Sequence, residues 1–122
     1  MDMKKMVRLI AVVVVCLAAC EWAPTFAQEQ PRVIEIHAKR FSFTPAEIEI
    51  VKGETVTLSF ISEDATHGMS IPELGVNVTI MKGKATNAEV TPQQAGTFEG
   101  RCSHFCGAGH ASMVFSVQVK DK

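Results

Sequence analysis

Between residues 34 and 119 apolar side chains repeatedly alternate with polar ones at a period of two, which demands strands with one buried and one wet face. Ile34 and Ile36 flank Glu35, Ile48 and Ile50 flank Glu49, and Val56, Leu58 and Phe60 alternate with Thr57 and Ser59. The pattern resumes in Val76, Val78 and Ile80 and again in Phe115, Val117 and Val119, while no stretch carries a convincing helical period. Turn-forming clusters at Lys52-Gly53-Glu54, Met81-Lys82-Gly83-Lys84 and Thr91-Pro92-Gln93-Gln94-Ala95-Gly96 divide these runs at the spacing of a small antiparallel sandwich or barrel. An immunoglobulin-like domain fits this pattern equally well. At 122 residues the chain has room for one domain, and no internal repeat or low-complexity segment interrupts it.

The first residues read as an export signal. Lys4, Lys5 and Arg8 form a positive start, and Leu9 to Cys20 is an almost unbroken apolar run, shorter than the roughly 20 residues a membrane-spanning helix needs. Two cleavage sites are open: Thr25-Phe26-Ala27 before Gln28, or the lipobox-like Leu17-Ala18-Ala19-Cys20, which would leave a lipid on Cys20. The expected organisation is a signal peptide over 1–27, a short tether over 28–32 and one domain over 33–122, with no membrane helix after export. That places the domain on the periplasmic or extracytoplasmic side, soluble or lipid-anchored. Cys16 and Cys20 belong to the export segment, so only Cys102 and Cys106 remain in the folded part.

Residues 28–122 carry 9 Lys and Arg against 11 Asp and Glu, a net charge of about −2 that argues against nucleic-acid binding, which wants a basic stripe. No Ser-His-Asp signature or catalytically spaced carboxylate pair is evident, so the isolated chain reads as a carrier rather than an enzyme. Glu63, Asp64 and Glu73 could present an acidic face to a basic partner, although exposed carboxylates ordinarily just solvate a loop.

The chemistry is concentrated in Arg101-Cys102-Ser103-His104-Phe105-Cys106-Gly107-Ala108-Gly109-His110-Ala111-Ser112-Met113. Two thiols, two imidazoles and a thioether in one short loop form a soft donor set, and hard carboxylates are absent from it. Copper suits this set best. Zinc would accept Cys102, Cys106 and His110 but gains nothing from a weak axial methionine at Met113. A mononuclear blue copper site needs a single cysteine, so the second thiol points to sulfurs that bridge two copper ions.

The spacing Cys102-x-His104-x-Cys106-Gly107-x-x-His110-x-x-Met113 resembles the ligand loop of the dinuclear copper A domain of cytochrome c oxidase subunit II, and nitrous oxide reductase carries a similar loop. The segment from His67 through Pro72, Leu74 and Gly75 resembles that family's His-x-x-x-x-Pro-x-Leu-Gly stretch, which supplies a further histidine. The resemblance implies an all-β, cupredoxin-like Greek-key sandwich. It also implies one copper held by His67 and Met113, another by His110 and the backbone carbonyl of His104, and bridging by Cys102 and Cys106. Such a domain relays electrons, with a c-type cytochrome or a membrane oxidase or reductase as partner and a role as the electron-accepting subunit of an oxidase-type complex. Two departures stand out: the family usually has glutamate at the position of His104, and Trp22, the chain's one tryptophan, falls outside the domain.

Other readings compete. A Cys102–Cys106 disulfide would be reasonable in an oxidising compartment but leaves His67, His110 and Met113 without a role. Thioredoxin-like copper-delivery factors also use Cys-x-x-x-Cys, yet they need helices alternating with strands and a proline after the second cysteine. Copper storage and a mononuclear blue copper carrier are the remaining alternatives. His37, Met69 and Met81 read as ordinary surface residues, and the His104 side chain is expected to point away from any metal.

Overall fold

A computed structural model describes Met3, Lys4 and residues 23–122, so the apolar run and Cys20 of the export signal lie outside the described residues. Among the described residues no helix is long and apolar enough to cross a membrane. The strands run β1 (Arg32–Lys39), β2 (Ser42–Thr44), β3 (Glu47–Val51), β4 (Val56–Ser62), β5 (His67–Ile71), β6 (Val76–Ile80), β7 (Thr86–Val90), β8 (Gly96–Arg101) and β9 (Val114–Lys120). Sheets ordered β2-β1-β4-β7 and β3-β9-β8-β5-β6 form a β-sandwich, and the non-sequential order records strands crossing from one layer to the other.

The alternation sorts side chains as its period requires. Ile36, Ile50, Val56, Leu58, Phe60, Ile80 and Val117 are fully buried between the layers. Ile34 and Val78 are only partly buried and pack against the core from its margin, Val78 because β6 is an edge strand. The core also takes Ala38, Phe43, Met69, Ile71 and Val90. Met69 is therefore no surface residue. It follows His67 by two positions on β5 and so shares its buried face. Met81 is exposed, and His37 lies at the surface between Glu35 and Glu63, 2.6 and 3.1 Å from their Oε1 atoms.

Two features depart from an antiparallel, helix-free sandwich. β1 pairs with β4, and β3 with β9, in parallel. Among the described residues two single 3-10 turns also form, at Pro72–Leu74 and His110–Ser112, each too short to leave a helical period. The first explains the Pro-x-Leu-Gly stretch physically. Proline starts the turn, and Gly75, at φ 68°, ends it in the left-handed region while its N–H bonds the Pro72 carbonyl at 3.1 Å.

β8, β9 and β5 bring the chemistry-bearing segments to one end of the sandwich. Cys102 follows β8 directly and Met113 precedes β9, and the Cys102 N–H donates to the Met113 carbonyl at 3.1 Å, closing the loop at its base. Beneath it Gly100 is packed so closely that a Cβ there would lie 2.8 Å from Met69 Sδ and 2.9 Å from Ile71 Cγ1. Phe115, two residues beyond Met113 on the same buried face, meets Phe43 edge to face with ring centroids 6.0 Å apart.

Candidate metal centre

Cys102 and Cys106 are both buried and unpaired, with their sulfurs 3.8 Å apart, too far for a disulfide. Around this pair four further donors converge. His67 Nδ1 lies 3.9 Å and the His104 carbonyl oxygen 3.2 Å from Cys102 Sγ, while His110 Nδ1 and Met113 Sδ each lie 3.7 Å from Cys106 Sγ. The ligand atoms of His67 and the two thiols all lie within 4.8 Å of one another. His67 and Met113 are fully buried, His110 is half-buried under the tilted ring of Phe105, and His104 is exposed and offers the centre its backbone. All six sequence-predicted donors thus meet at one place, arriving from β5 and a loop more than thirty residues later.

The fully buried His67 is oriented by a carboxylate. Asp64 Oδ1 sits 2.7 Å from His67 Nε2 and also accepts the Ala65 N–H at 2.7 Å, while Oδ2 accepts the Arg40 N–H at 2.9 Å. Burial pushes the Asp64 carboxyl upward, but the Arg40 N–H, the His67 ring and the Ala65 N–H outweigh it and hold the group down at about 2. An ionised Asp64 can only accept, so His67 Nε2 donates to it, and the other ring nitrogen, Nδ1, faces Cys102 Sγ. Asp64 is thereby committed to the interior of the site and Glu63 to His37, which leaves Glu73 as the least engaged of the three carboxylates near His67.

The depressed Asp64 carboxyl makes stability depend on acid. A folded value near 2 against an ordinary 3.8 contributes stability above about pH 4 that disappears as pH falls through 2, at most about 2 kcal/mol. Acid unfolding of the wild type should show this loss between pH 4 and 2, and Asp64→Asn should lack it. Parallel curves for the two proteins in that window would remove the role assigned to the carboxylate.

Cys106 behaves oppositely. Burial first, then the hydrogen bond and charge of Cys102, push its thiol up to about 11, with Arg40 pulling the other way. A metal that takes this sulfur must displace a proton that neutral water would not remove. Two thiols, two imidazole nitrogens, a thioether and one carbonyl make a set that copper fits and hard cations do not.

Gly68, which the sequence reading passed over, is where β5 meets the loop. A Cβ on Gly68 would collide with Ser103 Oγ and stand 3.0 Å from His104 N and 3.3 Å from Ser103 C. A glycine beside a candidate ligand inside a strand is itself a signal of close backbone approach. Gly68→Ala is expected to lower stability by roughly 1–3 kcal/mol and to shift the His104 backbone beside Cys102. Thermal melts identical to wild type would show that the loop absorbs a methyl group freely.

A two-layer β-sandwich with sulfur, imidazole and thioether donors gathered at one end presents a candidate site for a soft metal. The chain belongs to the cupredoxin-like domain family, which it matches over residues 9–114. It is similar to cytochrome c oxidase subunit 2 of Thermus thermophilus, 26% identical over 88 residues that make up 72% of this chain. The chain spans 65% of that relative's length and 52% of a second Thermus thermophilus protein of the same name. In fold it is similar to the periplasmic domain of cytochrome oxidase subunit II from Bradyrhizobium japonicum, with a TM-score of 0.70 at 17% identity, covering 80% of this chain and 89% of that one.

Proposed function

We propose that the chain is an extracytoplasmic electron-transfer protein whose loop holds two copper ions bridged by Cys102 and Cys106. His67 and Met113 would hold one ion, and His110 and the His104 carbonyl the other. A single observation carries this reading. Each sulfur faces one donor from each proposed pair: Cys102 has His67 and the His104 carbonyl beside it, and Cys106 has His110 and Met113. Two bridging thiolates suit that distribution, whereas a one-copper site with a single cysteine would leave the second thiol and the His104 carbonyl without a role.

Bound copper supplies reversible one-electron chemistry. The chain's own residues keep the surroundings from changing with oxidation state: the Cys102 N–H to Met113 carbonyl bond closes the loop, Asp64 fixes the His67 ring, and the layer of Met69 and Phe115 below excludes water. The relatives that carry the similar domain are oxidase subunits. We assign the partner accordingly as a c-type cytochrome on one side and a membrane oxidase or reductase on the other, with residues 33–122 as the working domain. Export by residues 1–27, or anchoring through lipid on Cys20, completes the proposal.

The test is to load the reduced protein with copper, measure metal per chain and record the electron paramagnetic resonance spectrum. Two coppers per chain with one unpaired spin spread over both nuclei support the relay. One copper per chain, or spin confined to one nucleus, would replace it with a mononuclear carrier or a delivery role.

A further inference from the structure

Two residues, Arg40 and Phe41, connect β1 to β2, and both reach the candidate centre from outside it. The main-chain N–H of Arg40 donates to Asp64 Oδ2 at 2.9 Å, and Asp64 in turn holds the His67 ring. The side chain of the same residue donates from Nε to the Cys106 carbonyl at 2.7 Å. Phe41 lies against the loop beside it, so that a Cβ on Gly107 would come within 3.0 Å of the ring and one on Gly109 within 2.5 Å. One corner therefore grips the two parts of the site that the chain must bring together, the strand that presents His67 and the loop that presents Cys106.

We propose that Arg40 is a positioning residue that couples the halves of the centre, its main-chain N–H fixing Asp64 and through it His67, its guanidinium fixing the Cys106 carbonyl. The two grips are separable because one uses backbone and the other side chain. Replacing the side chain frees the loop and leaves the Asp64 contact in place. The guanidinium is also a permanent cation beside the thiol pair, and a nearby positive charge favours the more electron-rich state of any redox group there. The charge argument rests on the copper reading above; the grip on the loop does not.

The experiment compares the full-length wild type with Arg40→Met and Arg40→Lys. In the reduced, metal-free proteins, amide hydrogen exchange is followed over residues 103–113 and over residues 64–71. Arg40→Met should raise exchange in the loop by roughly ten- to a hundredfold, the size expected for one lost bond from a charged donor, and leave residues 64–71 protected. Copper(I) should pass from Arg40→Met to a chelator about tenfold faster than from wild type. The reduction potential should fall in Arg40→Met and return toward wild type in Arg40→Lys, which keeps the charge without the planar fork.

Unchanged loop exchange in Arg40→Met would overturn the proposal. So would an equal rise in both segments, which marks general loosening. Should Arg40→Met fail to fold, loop exchange in Arg40→Lys answers the same question, with raised exchange over 103–113 alone supporting the grip. If the wild type binds no copper pair the function proposed above fails, yet the exchange measurement still decides what Arg40 does.

Discussion

If the proposed two-copper centre forms, Cys102→Ser and Cys106→Ser are each expected to abolish it, leaving one copper or none per chain and no shared spin. The reason lies in the geometry around each sulfur. Cys102 Sγ is 3.8 Å from Cys106 Sγ and each has a different pair of donors beside it, so neither thiol can take over the other's contacts. A serine hydroxyl is a hard, protonated donor at neutral pH and cannot replace a soft bridging thiolate. His104→Glu is the contrasting substitution. The His104 side chain is exposed and only its carbonyl approaches Cys102, so the variant should keep two coppers and a nearly unchanged spectrum. Metal analysis with paramagnetic resonance on the three variants decides the matter. Two coppers retained in both serine proteins would refute bridging, and loss of copper in His104→Glu would give the side chain a role.

Phe115→Ala is the substitution expected to cost most stability. Phe115 is fully buried on β9, shares a face with Met113 and joins the layers through its edge-to-face contact with Phe43 on β2. Truncating a buried phenylalanine costs about 3–5 kcal/mol, which is a large part of the roughly 5–15 kcal/mol that holds a small domain together. The melting temperature should fall by roughly 15–30 °C. Loss of the centre should follow, because the chain that carries Met113 no longer has a floor. Phe105→Ala is the matched control: the residue is 75% exposed, and the loss of its ring should move stability by no more than about 0.5 kcal/mol. A Phe115→Ala melting point within a few degrees of wild type would mean that the two sheets hold together without this contact.

Strand existence and the donor set were legible in the residues for related reasons. Period-two alternation is a local property, and a face that buries Val56, Leu58 and Phe60 must also turn Thr57 and Ser59 away from it. The loop donors fall within twelve residues of chain, so their chemical type and spacing could be read without knowing what surrounds them. Strand direction was not legible, because alternation is the same in parallel and antiparallel pairs; only the register of β1 on β4 and of β3 on β9 decides it.

The sequence by itself thus determined the all-strand character, the loop in which soft donors are concentrated and their residue types. Tertiary structure alone decided what holds those ligands still. Asp64 looked like one more surface carboxylate until the fold set it against the His67 ring and the Arg40 main chain, 24 residues away. Arg40 has no local feature that distinguishes it, since its partner carbonyl lies 66 residues downstream. Gly68 stands out locally only as a glycine beside a candidate ligand; which backbone it makes room for, that of His104 at 3.0 Å, is set by the fold. Contacts between distant segments leave no period and no motif, because they are set by how the layers stack and not by the chain's own repeat.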